Sequence, residues 1–279
     1  MAVSGQDESG RRPRVMLSFD VEEFDLPNEF GADLSLDSQL SIGASGLKKA
    51  MKLVDELEIR VTLFTTARMA DHVRDELPEI ARRHEIGSHG VRHDHFETTH
   101  YAESKARLEA LAGTEVTGFR MARLQPVDVP ELLGSGYLYD SSENPIRLPG
   151  RYDNRSVPRT PRMDQGLVRI PISTSPRLRV PLFWLGFRHL PSPILRRTLD
   201  RTLQHDGHLN LFLHPWEFLN TREWRRHMPR VVRHGGGERL TERLAKTIRH
   251  LREKARFTGM SEFASEFARK TATRNDQST

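Results

Sequence analysis

The chain has no cysteine, so neither a disulfide nor a thiolate metal site can enter its chemistry. No stretch approaches the roughly 18 apolar residues that a membrane-spanning helix requires. The opening residues MAVSGQDESGRR lack the apolar centre of a signal peptide and read as a disordered leader over 1–12. A cytoplasmic protein is therefore the expectation. There is no glycine-rich phosphate loop of the dinucleotide or nucleotide kind. The basic residues nowhere form a stripe interleaved with aromatics, so no nucleic-acid partner is expected.

What remains is a 279-residue chain, 36% hydrophobic, with a formal charge of +5. That composition supports a real core and a mild attraction for anionic surfaces such as phospholipid headgroups or acidic glycans. Apolar runs at 14–20, 60–65, 85–89, 116–120, 137–140, 167–172 and 209–214 read as strands, with a last strand piece at 257–258. Helical spacing is expected over 45–58, 68–83 (bent at Pro78), 100–112, 129–134, 192–205, 238–254 and 261–270. Strands alternating with helices predict a parallel α/β sheet, here an irregular (β/α) barrel of about seven strands. A single domain over 13–270 is expected, with 142–190 as an insertion or edge element and 271–279 as a flexible tail.

In such barrels the chemistry sits at the C-terminal ends of the strands. The residues ending these strands are Asp20 with Glu22, His89 with His93, Arg120, Asp140 with Glu143, and His214. A core does not need that set. His89 and His93 lie four positions apart in SHGVRH and can share a metal ion. His93 with His95 is the alternative pair. A carboxylate from Asp20-Val21-Glu22 would complete a two-histidine, one-carboxylate set, leaving the other acid free to take a proton. Arg120 can orient Asp20 through a charge-assisted pair. His214 has the pKa range of a general acid for a departing amine, or is a buried histidine satisfied by a carbonyl. Trp216 either flanks a sugar ring or caps the barrel.

Taken in order, SFDVEE, SHGVRH, GFR, YDSS and FLHPWEF resemble the motifs of the polysaccharide deacetylases, carbohydrate esterase family 4, over residues 14–268. The resemblance implies a NodB-type deacetylase barrel and a hydrolase that removes an N-acetyl group from an amino sugar. It implies Asp20 as catalytic base and Glu22, His89 and His93 as ligands of a divalent metal, with Glu23 as second candidate. Zinc is the expected ion, with manganese, cobalt, nickel or iron as alternatives. The family's usual second acid directly follows the base; here Val21 stands there, giving an acid-x-acid pattern. Arg120 corresponds to the arginine that positions the base. The proline and aromatic that follow it in the family are replaced by Ala122 and Arg123, and Arg123 becomes a substrate-binding candidate. Either Glu143 or Asp140 would support the catalytic histidine, and His214 would protonate the leaving amine.

Without a signal peptide, a cytoplasmic lipid-linked or nucleotide-linked N-acetylhexosamine fits better than a wall polymer. Residues 177–197 mix aromatic, leucine and basic residues and could touch a membrane surface, or else pack the barrel rim. Competing readings are a deformylase or an allantoinase-like hydrolase on the same fold, and a non-catalytic glycan-binding protein.

Overall fold

The computed structural model describes residues 12–148 and 152–276. Strand β1 (Arg14–Val21) is buried along nearly its whole length, as a parallel strand covered on both faces must be. Helix α1 (Leu36–Glu56) starts nine residues earlier than its periodicity suggests, because Ser35 caps it by accepting the Ser38 N–H at 3.3 Å. Next come β2 (Thr62–Thr65), α2 (Ala67–His72) and α3 (Leu77–Arg83). The bent helix expected over 68–83 is thus two helices. Pro78 lies in the first turn of the second, where its missing N–H costs nothing.

The chain continues through β3 (Glu85–Ser88), α4 (His100–Ala112), β4 (Gly118–Phe119), α5 (Val129–Gly134) and β5 (Tyr139–Asp140). Strands β6 (Arg147–Leu148) and β7 (Tyr152–Asp153) form a separate antiparallel pair. Strands β8 (Arg162–Asp164) and β9 (Leu167–Arg169) return to the main sheet, followed by α6 (Trp184–His189) and α7 (Ser192–Asp206). Strand β10 (His208–Leu213), α8 (Glu238–Arg252), β11 (Arg256–Phe257) and α9 (Met260–Asp276) complete the fold.

The sheet order is β10-β1-β2-β3-β4-β5-β9-β8, and β11 joins the foot of β1. Every pair from β10 to β9 is parallel; only β8 runs against its neighbour. Just past β9, the Ser173 N–H donates to the Asn210 carbonyl on β10 at 3.0 Å, so the two sides of the curled sheet meet. This is the irregular α/β barrel that the alternation predicts.

The 142–190 stretch is in part barrel, since β9 belongs to the sheet, and in part a wall built over its mouth. In 177–197, Leu182, Phe183 and Phe187 are buried, and the exposed large apolar side chains there are Leu178 and Ile194. That favours rim packing over membrane contact. No helix of the described residues is long and apolar enough to cross a membrane. Helix α9 runs on to Asp276, so 271–276 is helical where a flexible tail was expected. The leader up to residue 11 and the tail from 277 lie outside the described residues.

Candidate active site

Parallel register brings the first and last long strands side by side: Phe19 pairs with Leu213, so Asp20 and His214 leave neighbouring strands at the same level. Asp20 is buried, and its Oδ1 accepts from Arg120 Nη1 at 2.6 Å. Arg120 has no exposed surface at all. Its Nη1 also reaches Ser18 Oγ (2.9 Å), its Nε the Ser141 carbonyl (3.1 Å) and its Nη2 Ser141 Oγ (3.0 Å). The guanidinium lies over Phe64 (4.2 Å) and near Phe212 (5.0 Å), two ring faces that favour a cation out of water. A buried charge this fully engaged has little freedom, so the Asp20 carboxylate it holds is fixed as well.

Glu22, His89 and His93 converge. Glu22 Oε2 lies 3.3 Å from His89 Nε2 and 3.1 Å from His93 Nε2, and the two imidazole rings stack nearly parallel. His89 Nδ1 donates to the Arg120 carbonyl at 2.8 Å, and His93 Nδ1 lies 2.9 Å from both Asp25 carboxylate oxygens. Each ring therefore directs Nδ1 to a fixed partner and Nε2 toward the Glu22 carboxylate. Neutral imidazoles so placed would face an anion with lone pairs, an arrangement that a cation between them satisfies. His89 Nε2 is fully buried and, among the described residues, has no hydrogen-bond partner. Ligand atoms of these three residues all lie within 4.8 Å of one another. The donor set thus fits a divalent first-row metal, with Asp25 holding the second histidine from behind.

The electrostatics show the same demand for positive charge beside Glu22. Burial would raise the Glu22 carboxyl, but the facing His93, His214 and His89 outweigh it and hold it below the usual range. Burial would lower His93; Glu22 and Asp25 reverse that and push it up to about 9. His214 is raised too, burial being overcome by Glu22, Glu217 and Asp20.

His214 follows β10 directly. Its Nδ1 lies 2.9 Å from Glu217 Oε1, which also accepts the His214 backbone N–H at 2.9 Å. Arg188 Nε donates to the other oxygen of Glu217 at 2.6 Å. Neither acid expected to support His214 is there. Asp140 is engaged by Ser142 and by Arg169 (3.0 Å) on the neighbouring strand β9. Glu143 is forked by Arg162 at 2.6 and 2.7 Å. Arginines from β8 and β9 claim both. Glu217 is the residue that sequence reasoning missed, although its place three positions after His214, within one helical turn, was visible.

Trp216 is only 4% exposed, stacks on His214 (5.2 Å) and donates from Nε1 to Glu22 Oε1 at 3.3 Å. It supports the centre from beneath rather than presenting a free ring. Arg123 sits at the rim, bound to Asp25 (3.4 Å) and Glu29 (2.5 Å). It and Leu124 both take positive φ (58° and 52°), a sharp and costly turn directly after Arg120. Glu23, the second ligand candidate, turns away to Thr66 (2.8 Å) and Arg68 (3.3 Å). His95 pairs with Glu97 and takes no part in the centre. Asp20, Glu22, His89, His93 and His214 open into one cleft of about 400 Å³.

Residues 8–122 match the family described as polysaccharide deacetylase. No curated protein matches the sequence. Among solved structures, a candidate polysaccharide deacetylase from Mycobacterium smegmatis superimposes with a TM-score of 0.65 at 20% identity, over 97% of this chain and 95% of that one. A probable polysaccharide deacetylase from Pseudomonas aeruginosa PAO1 also gives 0.65, at 16% identity over 92% and 91%. Puue allantoinase gives the same TM-score at 16% identity over 95% and 93%. These likenesses show a shared fold. The family match covers the segment that carries Asp20, Glu22, His89, His93 and Arg120.

Proposed function

We propose that the protein is a metal-dependent N-deacetylase acting on an acetylated amino sugar in a glycan or glycan precursor. One observation carries this: the Nε2 atoms of His89 and His93 and the Glu22 carboxylate converge in a cluster beside Asp20 and His214. Glu22, His89 and His93 would hold the ion, zinc or another first-row metal. Bound there, it would supply Lewis acidity and lower the pKa of water.

The chain's own residues divide the remaining work. Asp20 spends Oδ1 on Arg120, which leaves its second oxygen to take a proton from the attacking water. Arg120 positions that carboxylate. His214, held by Glu217 and raised toward its protonated form, gives a proton to the departing amine. The products are acetate and a free amino sugar.

The test joins metal content to turnover. Elemental mass spectrometry of the purified protein is expected to find about one equivalent of a first-row metal, lost in His93→Ala. Acetate release is then assayed on N-acetylhexosamines, including nucleotide-linked and lipid-linked forms, beside formamido sugars and cyclic ureides. Asp20→Ala is expected to lose at least about a hundredfold in kcat. Near-normal turnover in that variant, or a wild-type protein that never takes up metal, would overturn the reading.

A further inference from the structure

The 142–190 stretch contributes Asn144, Ile146, Asn154, Phe183, Trp184 and Leu185 to the cleft that holds Asp20 and His214. Asn144 is unusual among them. Its Oδ1 is buried and, among the described residues, has no hydrogen-bond partner. Exchanging the amide oxygen and nitrogen would only put an unpaired N–H in its place. A shielded amide oxygen without a partner costs free energy, and Asn144 as a whole is only half-buried at the cleft wall, so its amide is placed to gain its partner with the ligand.

The amide is also held in place. The Asn144 backbone carbonyl accepts from Asn154 Nδ2 at 3.0 Å, and the Asn154 N–H donates to the Ile146 carbonyl at 2.9 Å. This ties Asn144 to the β6–β7 pair. The same cleft presents aromatic surface. Trp184 is half-buried, its ring centre 6.0 Å from His214 and 6.1 Å from Phe183, which stacks on Phe212 at 5.0 Å. A pyranose offers what these groups lack: hydroxyls that pair with an amide, and a C–H face that lies on an aromatic ring.

We infer that Asn144 and Trp184 form a sugar subsite beside His214, with Asn144 as a specificity-determining residue that binds ring hydroxyls of the substrate. This deepens the deacetylase reading and rests on it for the identity of the ligand as an amino sugar. It gives the 142–190 stretch a purpose: the barrel supplies the reacting groups, and this stretch recognises the sugar.

Binding separates the two ideas. The full-length protein, loaded with zinc, would be titrated with N-acetylglucosamine, N-acetylgalactosamine and triacetylchitotriose, following tryptophan fluorescence and ligand-observed NMR. Wild type is expected to bind at least one of them. Asn144→Ala and Trp184→Ala should each weaken that binding about tenfold, with zinc content and circular dichroism unchanged. Where acetate is released, Asn144→Ala should raise KM and leave kcat within about threefold. Unaltered affinity in Asn144→Ala, or no binding of any of the three sugars to wild type, would overturn the subsite. Sugar binding that depends on Asn144 without acetate release would instead overturn the deacetylase reading and leave the subsite standing.

Discussion

At His214 a single acid, Glu217, accepts both the backbone N–H and the ring of the same residue, while Arg188 secures its other oxygen. The Arg188–Glu217 pair is almost wholly buried, so its charge acts on the imidazole with little screening from water. Losing the negative charge in Glu217→Gln removes one of the interactions that raise His214. A general acid works only while protonated, so the alkaline limb of the kcat/KM profile should move to lower pH in this variant. We expect turnover at pH 8 to fall about ten- to a hundredfold, with a smaller loss at pH 6, measured by acetate release across that range. The six side chains at this mouth (Asp20, Glu22, His89, His93, Arg120 and His214) were legible because each ends a strand or lies in the short segment after one. The support for His214 was not, because an acid at a strand end such as Asp140 looks the same in sequence whether it faces the mouth or a neighbouring arginine.

Helix α1 is the element on which the mouth is seated. A Cβ on Gly46 would come within 2.5–2.7 Å of the Pro215 and Trp216 backbone, and one on Gly43 within 2.8 Å of the Glu22 carbonyl. Both contacts are with backbone, which cannot swing aside. The helix therefore touches the segment after β1 and the turn after β10 at once, through two residues that have no side chain. Gly46→Ala is expected to displace the turn that carries His214 and Glu217, at a cost of about 1–3 kcal/mol in stability and a larger proportional loss of turnover. Chemical denaturation beside acetate release would measure both, and an unchanged protein would refute the close seating. The sequence hid this element's first half. Residues 36–44 set Leu36, Leu40, Ile42 and Ala44 among Ser, Asp, Gln and Gly, mostly poor helix formers that mask the repeat, whereas the capping Ser35 marks the true start. Helix α6 and the β6–β7 pair were missed for a similar reason, being short elements in a stretch dense in proline and arginine.

Across the whole barrel, the alternation of apolar runs and helical spacing was enough to predict a parallel sheet, because strands buried on both faces announce themselves as continuous apolar segments. Closure at the foot was not legible. There Glu85 on β3 accepts from Tyr139 Oη on β5 (2.6 Å), Thr62 Oγ1 on β2 (3.0 Å) and the Ser261 N–H of α9 (3.0 Å), linking residues distant in sequence. Burial raises this carboxyl despite those donors. An acid whose folded pKa is raised gives its full stability below its unfolded value and loses it as pH climbs through the folded one. Glu85→Gln removes that dependence. Relative to wild type, its Tm should therefore compare more favourably at pH 8 than at pH 4.5, a difference that calorimetry at the two values would read. The placement of β1 between β2 and β10 has one more consequence, and it concerns time. The Trp216–Glu22 bond spans 194 positions, and the foot of β1 is completed only by Arg256 and Phe257. During synthesis the first strand must wait, apolar on both faces, until nearly the entire chain has left the ribosome. The protein's hazard is thus greatest at birth, and a holding chaperone should matter more to its yield than any gain in the stability of the finished barrel.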